Sequence, residues 1–154
     1  MIFAKYFLFI TILVYLCVQS YSDVKTMRVY AFLNNLAMIL SGAALIIGYV
    51  FTGTLPNTMV LPGILCILLF LIFKVYGMGD IKAMVSIFFS SAYFDSGFSQ
   101  PDSFAFLMGL LIGNVLFFII WKTYKAVTKS DRKKAAFFPF LVISHIATFV
   151  ICQL

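Results

Sequence analysis

Six apolar runs, at approximately 2–20, 33–51, 57–73, 81–94, 103–121 and 136–153, occupy nearly the whole chain. That pattern excludes most folds before any motif is read. In lipid every backbone polar group must be satisfied internally, and a continuous apolar run achieves this as a helix. A membrane β-barrel would instead alternate apolar and polar residues, and no such alternation is present. Of 154 residues, 64% are hydrophobic and 10% charged, whereas a soluble domain keeps roughly a quarter charged. Mean hydropathy is +1.10. The expectation is an all-α, polytopic membrane helix bundle of about six transmembrane helices, a single membrane-embedded domain over residues 1–154. A span takes about 20 residues, with about 17 as the short limit. The fourth run falls below that limit and carries Ser86, Ser90 and Ser91, so it reads as little tilted or partly recessed.

The net charge is +6, which in a soluble chain would suggest phosphate or nucleic acid as partner. Its distribution here indicates topology instead. Lys25 and Arg28 follow the first run, Lys74 and Lys82 flank the third break, and Lys122, Lys125, Lys129, Arg132, Lys133 and Lys134 follow the fifth. These are ten of the eleven basic residues, all on one side of a six-span path; the other side has Lys5, with Asp95 and Asp102. Basic loops stay cytoplasmic, so both termini are expected outside. The basic stretch 122–134 reads as an anchor touching anionic lipid, and Trp121 and Tyr124 as part of an interfacial aromatic belt. A cleaved signal peptide over residues 1–20 is the competing reading. It fits less well, because Gln19-Ser20-Tyr21-Ser22 lacks a small-x-small cleavage pattern.

Against this background the carboxylates matter, because ionisable groups in or beside hydrocarbon are costly. All five acids are aspartates. Asp95 and Asp102 fall on the outer side, and Asp131 sits among Lys129, Arg132, Lys133 and Lys134 in the setting of a solvated ion pair. Asp23 and Asp80 remain, both at span edges on the cytoplasmic side. Two carboxylates brought close share a proton, since repulsion raises one pKa. The ionised member can draw a proton from water while the protonated member donates to a leaving amide. Asp80 closes the sequence Gly77-Met78-Gly79-Asp80. Glycines at 77 and 79 permit unusual backbone angles and close approach of another helix. The helix dipole favours the ionised form of Asp80, and burial opposes it.

With these residues in view the chain resembles the type IV prepilin peptidases, which share a G-x-G-D signature with presenilin-like intramembrane proteases. Gly77-Met78-Gly79-Asp80-Ile81-Lys82 is close to the family's G-x-G-D-x-K, and Asp23-Val24-Lys25-Thr26-Met27-Arg28 is similar to its first aspartate and following basic stretch. Phe137-Phe138-Pro139-Phe140 resembles the proline-containing start of its last span. Where small members usually carry Ile-Pro-Asn after the first aspartate, this chain has Val29-Tyr30-Ala31, with Asn34 further on. The resemblance implies a stand-alone aspartic leader peptidase of the cytoplasmic (inner) membrane, active at the cytoplasmic face. Asp23 and Asp80 would be its catalytic pair, with Gly77, Gly79 and Lys82 in support. It implies a prepilin-like substrate with a short basic leader, no cofactor, and no methyl transfer, since the paired Cys-x-x-Cys motifs of larger members are absent.

Other residues carry weaker signals. Lys82 either tunes the pair or snorkels to the interface. His145, the single histidine, reads as an interhelical hydrogen-bonding residue ahead of a proton relay. Cys17, Cys66 and Cys152 lie in apolar runs without Cys-x-x-Cys spacing, which indicates neither a zinc site nor a disulfide framework. Two alternatives stand beside the leader peptidase. One is a non-enzymatic transport or pilus/secretion assembly subunit. The other is a different G-x-G-D protease acting on signal peptides or other membrane substrates.

Overall fold

The computed structural model describes residues 2–26, 28–53, 58–73, 76–94, 100–128 and 136–154. Met27, Lys74, Asp95, Lys129, Asp131, Arg132, Lys133 and Lys134 lie outside the described residues. The architecture is all-helical, and among the described residues there is no strand. Six α-helices follow one another: α1 (Ile2–Thr26), α2 (Ala31–Thr52), α3 (Leu61–Ile72, after a short 3-10 turn Thr58–Val60), α4 (Met78–Ser91), α5 (Ser103–Thr128) and α6 (Phe138–Ile151). Each coincides with one apolar run of the sequence.

Local chemistry sets the boundaries. Gly53, in the left-handed region at φ 64°, ends α2 and returns its N–H to the Tyr49 carbonyl at 2.9 Å. A side-chain residue there would be strained. Prolines stand in the first turns of α3 and α6, where their missing N–H has no intrahelical partner to lose. Asp102 caps α5, its Oδ1 accepting the Ala105 N–H at 3.0 Å.

Three helices are long and apolar enough to cross a membrane: Lys5–Thr26, Ala31–Thr52 and Ser103–Val127. They carry outward rows of large apolar side chains, among them Phe7, Ile10 and Val14 on α1, Phe32, Ile39 and Ile46 on α2, and Leu111, Phe118 and Ile119 on α5. A water-facing surface would not carry apolar patches of this extent; hydrocarbon surroundings account for them. The other three helices, of 12, 14 and 14 residues, are shorter than a full crossing.

Among the short helices, α4 is central and packs against each of the other five. Its Ile81, Ala83, Met84, Ile87 and Phe88 are buried, and so are Ser86, Ser90 and Ser91. The serine hydroxyls donate to carbonyls one turn back: Ser86 to Lys82, Ser90 to Ile87 and Ser91 to Phe88. The low hydropathy of the fourth run thus reflects a helix shielded by its neighbours rather than by lipid.

The closest helix pair is α5 with α6. Cβ atoms added at Gly109 and Gly113 would come 2.8 Å from the Ser144 carbonyl oxygen and 2.9 Å from that of Phe140. Small residues four apart let two backbones meet this way.

Polar contacts sort to two ends of the bundle. At one, Lys5 donates to Gln153, which donates to the Phe94 carbonyl, and the Asp102 N–H reaches Ser91 Oγ at 2.9 Å. At the other, the C-terminal turns of α1 meet the N-terminal turns of α2, α4 and α6. Of the described basic residues, Lys25, Arg28, Lys82, Lys122 and Lys125 belong to that second end and Lys5 to the first.

Candidate functional site

Along α1, Tyr15, Gln19, Ser22 and Asp23 recur at helical spacing and form a polar stripe on an otherwise apolar helix. Each member is anchored. Tyr15 donates to Asn34 Oδ1 at 2.6 Å, and Gln19 Nε2 donates to the same oxygen at 2.7 Å and to the Tyr30 carbonyl at 2.8 Å. The Tyr30 N–H returns to Gln19 Oε1 at 2.9 Å. Ser22 donates to the Arg28 carbonyl at 2.8 Å. Gln19 thereby fixes the α1–α2 connection, and both Gln19 and Asn34 are buried.

Asp23 is nearly buried at the end of the stripe. Its Oδ2 accepts the main-chain N–H groups of Phe137 (2.6 Å) and Phe138 (3.0 Å). These are free donors at the start of α6, where a helix leaves its first N–H groups unpaired. The segment 137–140 therefore holds the first aspartate through its backbone, a role that its side chains do not announce.

Asp80 stands in the first turn of α4, just ahead of the apolar stretch that begins at Ile81. Its Oδ2 folds back to accept the Gly77 N–H at 3.1 Å. The position where a Gly77 Cβ would stand is 3.2 Å from that oxygen. Gly79 faces α2 and its approach: an added Cβ would come 2.8 Å from Asn34 Nδ2 and 2.9 Å from Val29 Cγ2. Close approach, rather than unusual backbone angles, is what these two glycines supply. Gly77 is ordinary extended backbone and Gly79 is helical, and among the described residues Gly53 is the glycine with positive φ.

Asp23 and Asp80 come from helices 57 positions apart in sequence and are brought near enough for one charge to act on the other. Burial pushes the Asp80 carboxyl up from its ordinary value to about 6; the Gly77 N–H offsets part of this and the Asp23 charge adds to it. Tyr76, just before Gly77, is pushed up by burial first, and the Asp80 charge contributes there too. The macrodipole, which favours an ionised Asp80, is outweighed by desolvation.

Lys82 lies near this end but turns away from the acids, donating to Asn35 Oδ1 at 2.6 Å. His145 is far along α6, fully buried, with its ring stacked 5.0 Å from that of Phe9. Its Nε2 lies 3.1 Å from the Phe9 carbonyl oxygen. A carbonyl only accepts, so Nε2 carries the hydrogen, and buried Nδ1 has no partner among the described residues. This is an interhelical bond from α6 to α1. No cluster of three or more His, Cys, Asp or Glu gathers among the described residues to hold a metal.

Tyr15, Gln19 and the 137–138 main chain do not stand out in the sequence. The signal that would find the two side chains is the four-residue spacing Tyr15, Gln19, Asp23, legible once α1 is known to continue to Thr26; the main-chain donors carry none. Compared with protein-family models, curated proteins and solved structures, the chain matches none.

Proposed function

We propose that this chain is a membrane aspartic endopeptidase that removes the short basic leader from prepilin-like proteins. The observation that carries the reading is the pairing of two partly desolvated carboxylates, Asp23 and Asp80, with the Asp23 charge raising the Asp80 pKa. A pair that holds one proton has both an acid and a base. The ionised carboxylate takes a proton from water, whose oxygen attacks the scissile carbonyl carbon. The protonated carboxylate then donates to the amide nitrogen as the C–N bond breaks.

Orientation follows from charge. The end holding both aspartates also holds Lys25, Arg28, Lys82, Lys122 and Lys125. The positive-inside rule assigns it to the cytoplasm, with both termini outside and the protein in the cytoplasmic membrane. The substrate's apolar helix lies alongside the spans and presents its leader junction to the dyad.

The test is co-expression with a candidate prepilin in membranes. Asp23→Asn and Asp80→Asn should each lower the rate of leader removal by roughly 10²–10⁴-fold while the protein remains inserted. Full cleavage by either variant rules the dyad out. A wild-type chain that cleaves no prepilin, yet whose deletion still abolishes pilus assembly, would instead favour the assembly-subunit reading.

A further inference from the structure

Among the described residues no hydrogen bond joins Asp23 to Asp80, and two carboxylates in one site repel each other. Their separation is therefore set by what holds each of them. Asp23 comes from the end of α1 and Asp80 from the start of α4. Each is tethered to main-chain N–H groups: Asp23 to those of Phe137 and Phe138, Asp80 to that of Gly77. The distance between the acids is thus inherited from the distance between two stretches of backbone, 76–77 and 137–138.

Tyr76 joins these stretches. It precedes Gly77, so the peptide unit that donates to Asp80 begins at its own carbonyl carbon. Its ring packs on that of Phe137, with centres 4.4 Å apart and planes inclined by 42°. Phe137 makes the shorter of the two bonds to Asp23, at 2.6 Å. A single contact between two rings thereby links the two carboxylate cradles.

The linked rings are held from several sides. Phe70, near the end of α3, meets the Tyr76 ring edge-on at 4.9 Å, and Phe140 of α6 meets the Phe137 ring at 3.9 Å. Aromatic pairs at such spacings keep preferred tilts, and a packed cluster transmits strain instead of absorbing it. The Tyr76 hydroxyl adds a bond of 3.3 Å to Asn114 Oδ1, long for a hydroxyl donor, so the ring carries the linkage. The titratable groups near enough to interact with the Asp80 charge are Asp23, Tyr15 and Tyr76, while Lys82 turns to Asn35.

We infer that Tyr76 is a positioning residue, which by packing on Phe137 fixes the separation at which Asp23 and Asp80 can act on one water. The inference rests on the dyad reading above and adds a residue to it. Coulomb repulsion falls with distance, so loosening the Tyr76–Phe137 contact lets the acids part and weakens the action of one charge on the other.

The experiment uses the full chain in detergent micelles, labelled with carbon-13 at the aspartate carboxyls and titrated by NMR. The Asp80 signal is the one missing from Asp80→Asn. In the wild-type background Asp23→Asn should lower the Asp80 midpoint, since the Asp23 charge raises it. In Tyr76→Leu that lowering should shrink. Phe137→Leu, which keeps every main-chain donor, should shrink it alike, and the two leucines together should do little more than either alone, because contacting residues are not additive. Tyr76→Phe keeps the ring and should behave as wild type. In leader removal both leucine variants should lower kcat roughly 10²-fold, the size of an ångström-scale misplacement, with KM unchanged. Phe137→Leu carries the test if Tyr76→Leu loses its helicity by circular dichroism. An undiminished lowering in the leucine variants, or none in the wild type, overturns the inference. Because this coupling is read without substrate, the two readings fail separately. Undiminished coupling in a protein that cleaves leaders removes the role of Tyr76 alone, and coupling lost in the leucine variants of a protein that cleaves none removes the peptidase reading alone.

Discussion

Asp80 is half-buried in the first turn of α4, and its position sets the sign of a pH effect. Its folded-state pKa is raised, by burial first and by Asp23 as well, to about 6 from 3.8. Between those values the unfolded chain has released the proton while the folded protein keeps it. Stability therefore falls as pH rises through that window and levels off above about 6. Asp80→Asn does not titrate, and its amide oxygen can still accept the Gly77 N–H. Relative to wild type it should gain stability from pH 4 to pH 7, measured as thermal unfolding in detergent; a constant difference across that range would contradict the burial of Asp80. Gln19 is the residue to test for positioning. Gln19→Leu leaves the Tyr30 N–H without its Gln19 Oε1 partner, at a cost of about 1–3 kcal/mol, while the Tyr30 carbonyl keeps the Asn34 N–H. The loss should be seen as faster hydrogen exchange at Tyr30 and as a lower unfolding temperature.

At the scale of elements, the α5–α6 seam and α4 carry the bundle. Gly109→Val places branched carbon against the Ser144 carbonyl oxygen and the Thr148 N–H, which are backbone and cannot rotate away. Overpacking of this kind costs about 1–3 kcal/mol, so the variant should unfold at lower denaturant, whereas Gly42→Ala, whose added Cβ would have its nearest neighbour 3.8 Å away, should not. The six helices were legible in the sequence because each apolar run carries its own helix signal. Hydropathy cannot tell lipid contact from helix contact, so it under-read α4, whose serines satisfy themselves within the bundle. Asp23 and Asp80 stood out as ionisable groups beside hydrocarbon. Their setting was less visible: Asp23 is held by backbone N–H groups of α6, and main-chain donors leave no trace in residue type. Asn34, displaced from the pattern that the resemblance led one to expect, takes its place beside Gly79 only once α2 is folded against α4.

For the whole molecule, orientation is the consequence of charge that can be checked without any substrate. Five described basic residues lie at the end with the aspartates and one, Lys5, at the other. Lys5 is itself nearly buried, engaged by Gln153 beside the C-terminal turns of α6, where the negative end of that helix favours a cation. It is thus held by the fold and weighs little as a topological signal. The remaining asymmetry is one-sided and should fix both termini outside. The native Cys17, Cys66 and Cys152 are first changed to serine; none is joined to another. Single cysteines are then placed at Thr26 and Tyr124 at one end, and at Thr52 and Leu154 at the other. A membrane-impermeant maleimide applied to intact cells should label the Thr52→Cys and Leu154→Cys variants and spare the other two until the membrane is opened. Labelling of all four in intact cells would mean that the helices do not cross as an alternating bundle. The reverse pattern would put Asp23 and Asp80 on the outer side, where a leader still in the cytoplasm could not reach them.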